Sequence, residues 1–157
     1  MLETARRVRA VAKEIGCEIV LPVDAVVASA LAPNQKTSVA QADAIPADQM
    51  ALDVGPKTVA RFTEIVKASK TVVWNGPLGA FETKPFDAGT NAVASAVAEA
   101  TEAGKLLSVA GGGDTMAAMV GAGVRDRLSY VSLAGGAFLE WLEGLELPGV
   151  AVLRTKT

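Results

Sequence analysis

The sequence has no histidine and a single cysteine, Cys17. Metal sites built on imidazole, cysteine clusters, Ser-His-Asp triads and Cys-His pairs are therefore excluded for this chain. Its chemistry must come from carboxylates, hydroxyls, amines or backbone amides. A lone cysteine forms no internal disulfide and fits a reducing compartment. With no basic neighbour to stabilise a thiolate, Cys17 reads as a small core residue beside a strand rather than as a reactive thiol.

An excess of charge of either sign is also lacking. Fifteen Lys plus Arg oppose 17 Asp plus Glu, for a net charge of −2, so no basic field draws in nucleic acid or an anionic membrane. Glu3, Arg6, Arg7, Arg9, Lys13 and Glu14 precede any apolar run, which excludes a signal-peptide core there. The longest uncharged stretch, residues 128–139, is too short and too Gly-rich to span a bilayer. These features predict a soluble, cytoplasmic chain with neither a nucleic-acid nor a membrane partner.

What remains is ordinary globular composition. The 157 residues are half apolar and one-fifth charged, enough for one domain with a real core. Along the chain, helix-period and strand-period segments alternate. Val8, Val11, Ala12 and Ile15 share one face of a helix over residues 1–15, which Gly16 stops. Residues 18–21 read as a short strand ended by Pro22, and residues 23–47 as an irregular stretch with a minor hairpin. From Met50 the spacing becomes regular. Strands are predicted at 50–54, 71–74, 106–109 and 130–132. Helices are predicted after Gly55-Pro56 and at 90–101, 114–120 and 137–143, where Phe138 and Trp141 read as core. This alternation implies βαβ units and a mostly parallel, doubly wound sheet, whose ligands sit beyond the carboxyl ends of the strands. All but one of the 15 Gly lie at or after Gly55, and their clusters fall in those loops.

Gly111-Gly112-Gly113-Asp114-Thr115 follows a strand and opens a helix, so backbone N–H groups and a positive helix end point away from the sheet edge. The segment is either a tight turn with Asp114 as a first-turn carboxylate or a phosphate cradle. One Gly suffices for a turn, and three favour the cradle. Asp114 beside phosphate oxygens would repel them unless a cation intervenes, which predicts Mg²⁺ held by Asp114, phosphate oxygens and water. Thr115 offers a hydroxyl donor. No G-x-x-x-x-G-K-[ST] loop occurs, and Met116 stands where the dinucleotide fingerprint needs its third Gly.

Ser132-Leu133-Ala134-Gly135-Gly136-Ala137 repeats the device, as a structural turn or an anion site. Amides from two helix starts could converge on one polyphosphate and stabilise a transferring phosphoryl group without any acid or base. In Trp74-Asn75-Gly76-Pro77-Leu78-Gly79-Ala80-Phe81-Glu82, Asn75 can bond a ligand, the apolar residues can form a slot for a flat ring, and Glu82 can accept from ribose hydroxyls. Composition by itself fits a Gly/Pro loop with core aromatics better.

Taken in order, these loops resemble phosphoglycerate kinase. The likeness is carried by Asp53-Val54-Gly55-Pro56-Lys57-Thr58, by Val73-Trp74-Asn75-Gly76-Pro77 with Phe81-Glu82, and by Gly111 to Thr115. Gly135-Gly136-Ala137 with Leu139-Glu140, Leu142-Glu143-Gly144, Leu147-Pro148-Gly149 and the earlier Leu21-Pro22-Val23-Asp24 extend it over nearly the whole chain. The resemblance implies a glycolytic transfer of the acyl phosphate of 1,3-bisphosphoglycerate to ADP with Mg²⁺, giving 3-phosphoglycerate and ATP. It implies Glu82 as ribose ligand and Asn75, Gly76 and Pro77 as part of the nucleotide slot. Gly112, Gly113, Asp114 and Thr115 become the Mg·nucleotide phosphate loop, and Gly135 and Gly136 the amide donors to the migrating phosphoryl group.

The fold implied is α/β, a Rossmann-like parallel sheet sandwiched by helices but lacking the domain's first strands and their Gly-Gly-Ala-Lys segment. Residues 1–157 are then expected to be part of a C-terminal nucleotide-binding domain. The N-terminal domain that grips 3-phosphoglycerate and 1,3-bisphosphoglycerate is absent, and the full-length enzyme is expected to be a monomer. Leu133 and Ala134 depart from the usual Ser-Thr-Gly-Gly-Gly-Ala, and the lost hydroxyl at Leu133 costs on the order of 1–3 kcal/mol. The isolated chain is accordingly expected to be inactive, and missing strands to leave apolar faces and a sheet edge uncovered. The alternative is a stand-alone nucleotide-binding module that kept the fold and lost the reaction. An oxidoreductase domain fails on its fingerprint.

Overall fold

The periodic face at the N-terminus forms α1 (Leu2–Glu14) in the computed structural model, which describes residues 2–153. Two hydrogen bonds end the helix, Gly16 N–H to Lys13 O at 3.4 Å and Cys17 N–H to Ala12 O at 2.8 Å, a Schellman arrangement. Residues 18–21 then run without regular secondary structure and join no sheet, which corrects the strand expected there. Cys17 is exposed rather than core, because the segment that follows the helix cap has no strand beside it.

Three strands follow: β1 (Asp24–Ala28), β2 (Ser38–Gln41) and β3 (Met50–Val54). β2 and β3 flank β1, both antiparallel to it. The β1–β2 pair, with Asp24 opposite Gln41 and Val27 opposite Ser38, is the hairpin expected within 23–47. β3 was expected in the parallel sheet and instead belongs to this one. No helix intervenes between β1 and β3, and a parallel pairing needs such a crossover.

From Pro56 the βαβ pattern holds. α2 (Pro56–Ala68), β4 (Thr71–Asn75), α3 (Ala88–Glu102), β5 (Leu107–Gly111), α4 (Gly113–Gly121), a 3-10 turn at Arg125–Arg127 and β6 (Tyr130–Ser132) follow in turn. α5 (Gly135–Leu142) and the short α6 (Pro148–Ala151) end the described chain. β4, β5 and β6 form a parallel sheet in that order. Ala94, Ala96 and Ala98 are buried on α3 beside Val93 and Val97, so the helix packs closely on its neighbours. Val66, Trp74, Leu106, Ala110 and Met119 join Val93, Ala94, Val97 and Ala98 in the main core. A smaller core of Ala28, Leu52 and Phe86 lies at the antiparallel sheet. Trp141 is 56% exposed on α5 rather than core, since α5 lies past the last strand of the sheet; the side chain of Phe138 lies outside the described residues. Among the described residues no helix is long and apolar enough to cross a membrane.

Candidate functional site

Parallel strands in register bring their carboxyl ends to one level. Asn75 pairs with Gly111, and Gly111 with Ser132, so the loops after β4, β5 and β6 all leave the sheet side by side. Gly76 N–H donates to Thr115 Oγ1 at 2.7 Å, and Gly112 N–H donates to Ser132 O at 3.2 Å. These two bonds tie the middle loop to both neighbours. Trp74 Nε1–H donates to Gly76 O at 2.5 Å, which holds the first loop from below.

Two glycines make the cluster possible. Gly112 has φ 103 and ψ 149, a region closed to L side chains. A Cβ on Gly135 would lie 2.5 Å from Gly112 Cα and 2.6 Å from its nitrogen, so the start of α5 abuts the start of α4 backbone to backbone. Among the described residues no side chain caps either helix. Their first-turn N–H groups therefore face outward, toward solvent or an anion. Asn75, Gly76, Gly112, Thr115 and Gly135 are thus brought together. Gly113, Asp114 and Gly136 sit exposed in the first turns of α4 and α5.

Thr115 is buried and its oxygen already accepts the Gly76 N–H. Its first role is to join two loops, with its own proton left to donate. Asp114 is exposed, and among the described residues no group of three or more His, Cys, Asp or Glu could cage a metal. One carboxylate fits Mg²⁺ held mainly by ligand phosphates and water, and does not fit an all-protein metal cage. The guanidinium groups that follow α4 are engaged elsewhere. Arg127 grips Glu102 through Nε at 2.8 Å and a terminal nitrogen at 2.7 Å, and Arg125 pairs with Asp126. Leu133 is 69% exposed between Ser132 and Ala134.

The rest of the first loop runs along a cleft of about 420 Å³. Leu78, Gly79 and Ala80 line it together with Ala51 and Leu52 of β3 and Ile45, making a largely apolar slot. Pro77 is half-buried at its approach, and Glu82 is exposed just past Ala80. The Glu82 carboxylate makes no hydrogen bond or ion pair among the described residues, so it is available to a ligand but not drawn into the cluster.

Two buried carboxylates lie outside the glycine loops, Asp24 opening the apolar β1 and Asp53 interrupting the apolar β3, and a charge set into an apolar strand is one that requires partners. Asp24 accepts the Thr58 N–H at 2.8 Å, the Thr58 hydroxyl at 2.7 Å and the Lys57 N–H at 3.0 Å, capping α2 from β1. Burial pushes its carboxyl up, but these bonds and the Lys57 charge outweigh burial and hold it below the ordinary value. Asp53 accepts the Val54 and Gly89 N–H groups, both at 2.8 Å. For Asp53 burial wins, helped by the charge of Asp87, and the carboxyl is raised.

The model of the phosphoglycerate kinase family matches residues 1–145. A phosphoglycerate kinase of Azorhizobium caulinodans is 61% identical over 98% of this chain and 39% of its own length; one of Cereibacter sphaeroides is 58% identical over 98% and 38%. The chain therefore spans about 39% of these curated relatives. Among solved structures, phosphoglycerate kinase from Coxiella burnetii superposes with a TM-score of 0.88 at 43% identity, covering 97% of this chain and 38% of that one. The enzyme from Pyrococcus horikoshii gives 0.77 at 27% identity, covering 97% and 36%.

Proposed function

This chain belongs to the phosphoglycerate kinase family, and from that premise we propose that it supplies part of the Mg·nucleotide site for transfer between 1,3-bisphosphoglycerate and ADP. The observation that carries the reading is the junction of Gly112 and Gly135, which sets two uncapped helix starts against each other at one sheet edge. In the reaction a terminal β-phosphate oxygen of ADP bonds to the acyl-phosphate phosphorus, the bond from phosphorus to the acyl oxygen breaks, and 3-phosphoglycerate leaves as a carboxylate. No proton moves, so a chain without histidine loses nothing the step requires.

The amides of Gly113 and Asp114 would bind the nucleotide phosphates, and those of Gly135 and Gly136 the phosphoryl group in flight, where charge builds on its equatorial oxygens. Asp114 would hold Mg²⁺ jointly with the phosphates, and the ion supplies neutralisation of polyphosphate charge. The Leu78–Ala80 slot would take the base, with Pro77 preceding it in the loop and Glu82 on the ribose, while Asn75 and Gly76 line a second cleft that shares Leu78. Phosphoglycerate would be gripped by the part of the relatives that this chain does not span, and the parts would work together as a monomer in the cytoplasm.

Asp114→Ala should weaken Mg·ADP binding about tenfold, or ~1.4 kcal/mol, in calorimetric titration, while metal-free ADP binding changes little. Equal loss in both would refute the metal role. Leu133 favours a second reading, nucleotide binding without transfer, because it puts an alkyl group where the resembling family has a hydroxyl. Under either reading the 157-residue chain alone shows no turnover in a coupled ATP-forming assay. Robust turnover would overturn that division of labour.

A further inference from the structure

Asp53 has no part in the chemistry proposed above, yet three segments meet on its carboxylate. It lies in β3 and bonds the N–H of Gly89 in the first turn of α3. Gly79 of the loop after β4 is pressed so close that a Cβ there would strike Asp53 Oδ1, and a Cβ on Gly89 would lie 2.6 Å from the same oxygen. Beside this contact, Ala80 N–H donates to Leu52 O at 2.8 Å, and Leu78 N–H donates to Thr90 Oγ1 at 3.1 Å. The loop is therefore held at both ends by different anchors. Thr115 holds Gly76 at the phosphate end, and Leu52 O and Thr90 Oγ1 hold residues 78–80 at the cleft, where Asp53 bonds the start of α3 and Gly79 packs on its carboxylate.

A buried charge is costly unless hydrogen bonds compensate it. Only a carboxylate can accept on both oxygens from two N–H donors at once while facing the positive end of α3. An apolar residue of similar volume would fill the space without holding the start of α3. Asp53 also lines the cleft beside Leu52, Gly79 and Ala80.

We infer that Asp53 is a positioning residue for nucleoside recognition: it clamps the start of α3, whose Thr90 anchors Leu78, and packs against Gly79, and so sets the width of the base slot and the approach of Glu82. This rests on the nucleotide reading above. Phosphate recognition, held by the Gly112 and Gly135 backbones, is independent of the clamp.

Asp53→Asn turns an amide N–H₂ toward one of the two N–H donors. The test is calorimetric titration of the purified chain with Mg·ADP and with Mg·tripolyphosphate, which lacks base and ribose. The expected result is an ADP affinity lowered by about tenfold, the scale of one charge-assisted hydrogen bond, with tripolyphosphate affinity unchanged. A merely structural role would lower both together, and that result, or unchanged ADP affinity, overturns the assignment while leaving the nucleotide reading intact. A native chain that binds neither probe overturns both. Gly89→Ala, which displaces the anchor from the α3 side and leaves the carboxylate in place, should give the same selective loss and decides the matter if Asp53→Asn does not fold. Failure of both variants to fold makes Asp53 a residue of the core and overturns the assignment.

Discussion

Asp24 and Asp53 lie on neighbouring strands, are both buried, and are moved in opposite directions from the ordinary aspartate value of 3.8. Asp24 collects three donors, more than burial can offset; Asp53 collects two and has Asp87 against it. The consequences for stability have opposite signs. Asp24 binds its proton more weakly when folded, so its contribution is fully present above 3.8 and is lost as pH falls from there through its lowered folded value. Asp53 binds its proton more tightly when folded, so stability declines as pH rises from 3.8 through its raised folded value. Urea denaturation across acid pH should show both limbs. Asp24→Asn should remove the acid-side loss and cost on the order of 2–3 kcal/mol at neutral pH, as an internal charged cap would; an unchanged acid limb would sink the capping argument. An Asp inside an apolar strand could be read from the sequence as a charge in need of partners. Which partners it finds could not, because Thr58 and Gly89 lie more than 30 positions away from Asp24 and Asp53.

At the level of elements, the parallel half of the molecule was legible and the antiparallel half less so. Helix-period segments between β4, β5 and β6 supply the crossovers that parallel pairing demands, and the spacing of apolar residues shows them directly. For residues 18–54 the spacing shows short apolar runs without saying which pair, and so 18–21 reads as a strand although it joins no sheet, and β3 reads as part of the parallel sheet although it pairs with β1. The loops were legible as glycine clusters, but not their contact. The close approach of α4 and α5 follows from strand register, which sets Asn75, Gly111 and Ser132 abreast. Gly135→Ala tests that contact. Its Cβ would sit 2.5 Å from Gly112 Cα, so the two helix starts must separate, at a cost of about 1–3 kcal/mol. Thermal melting should register the loss, and tripolyphosphate affinity should fall with it; a variant as stable as the native chain and binding equally well would show that the junction has slack.

At the scale of the molecule, the described residues leave apolar surface uncovered on α1 and along the edge of β4, among other places. Val8 and Val11 of α1 and Ile15 just past it are exposed, and β4 has β5 as its sheet neighbour on one side and an open edge on the other. A cleft of about 310 Å³ lined by Val20, Phe62, Ile65 and Val73 borders that edge. Exposed apolar faces and an unprotected strand edge favour association. Light scattering should therefore detect self-association of the 157-residue chain at micromolar concentration, reduced by Val73→Lys at the edge; a monodisperse monomer at ~100 μM would contradict it. The sequence by itself determined the α/β class, the absence of histidine chemistry, and the glycine loops at strand ends, because these depend on residue type and on spacing of a few positions. Tertiary structure alone decided the sheet to which β3 belongs, the exposure of Cys17 and Trp141, the bond from Gly76 to Thr115, and the convergence of three segments on Asp53. Each of those depends on which distant segments share a boundary, and pairing between distant segments is set by packing and register rather than by local pattern.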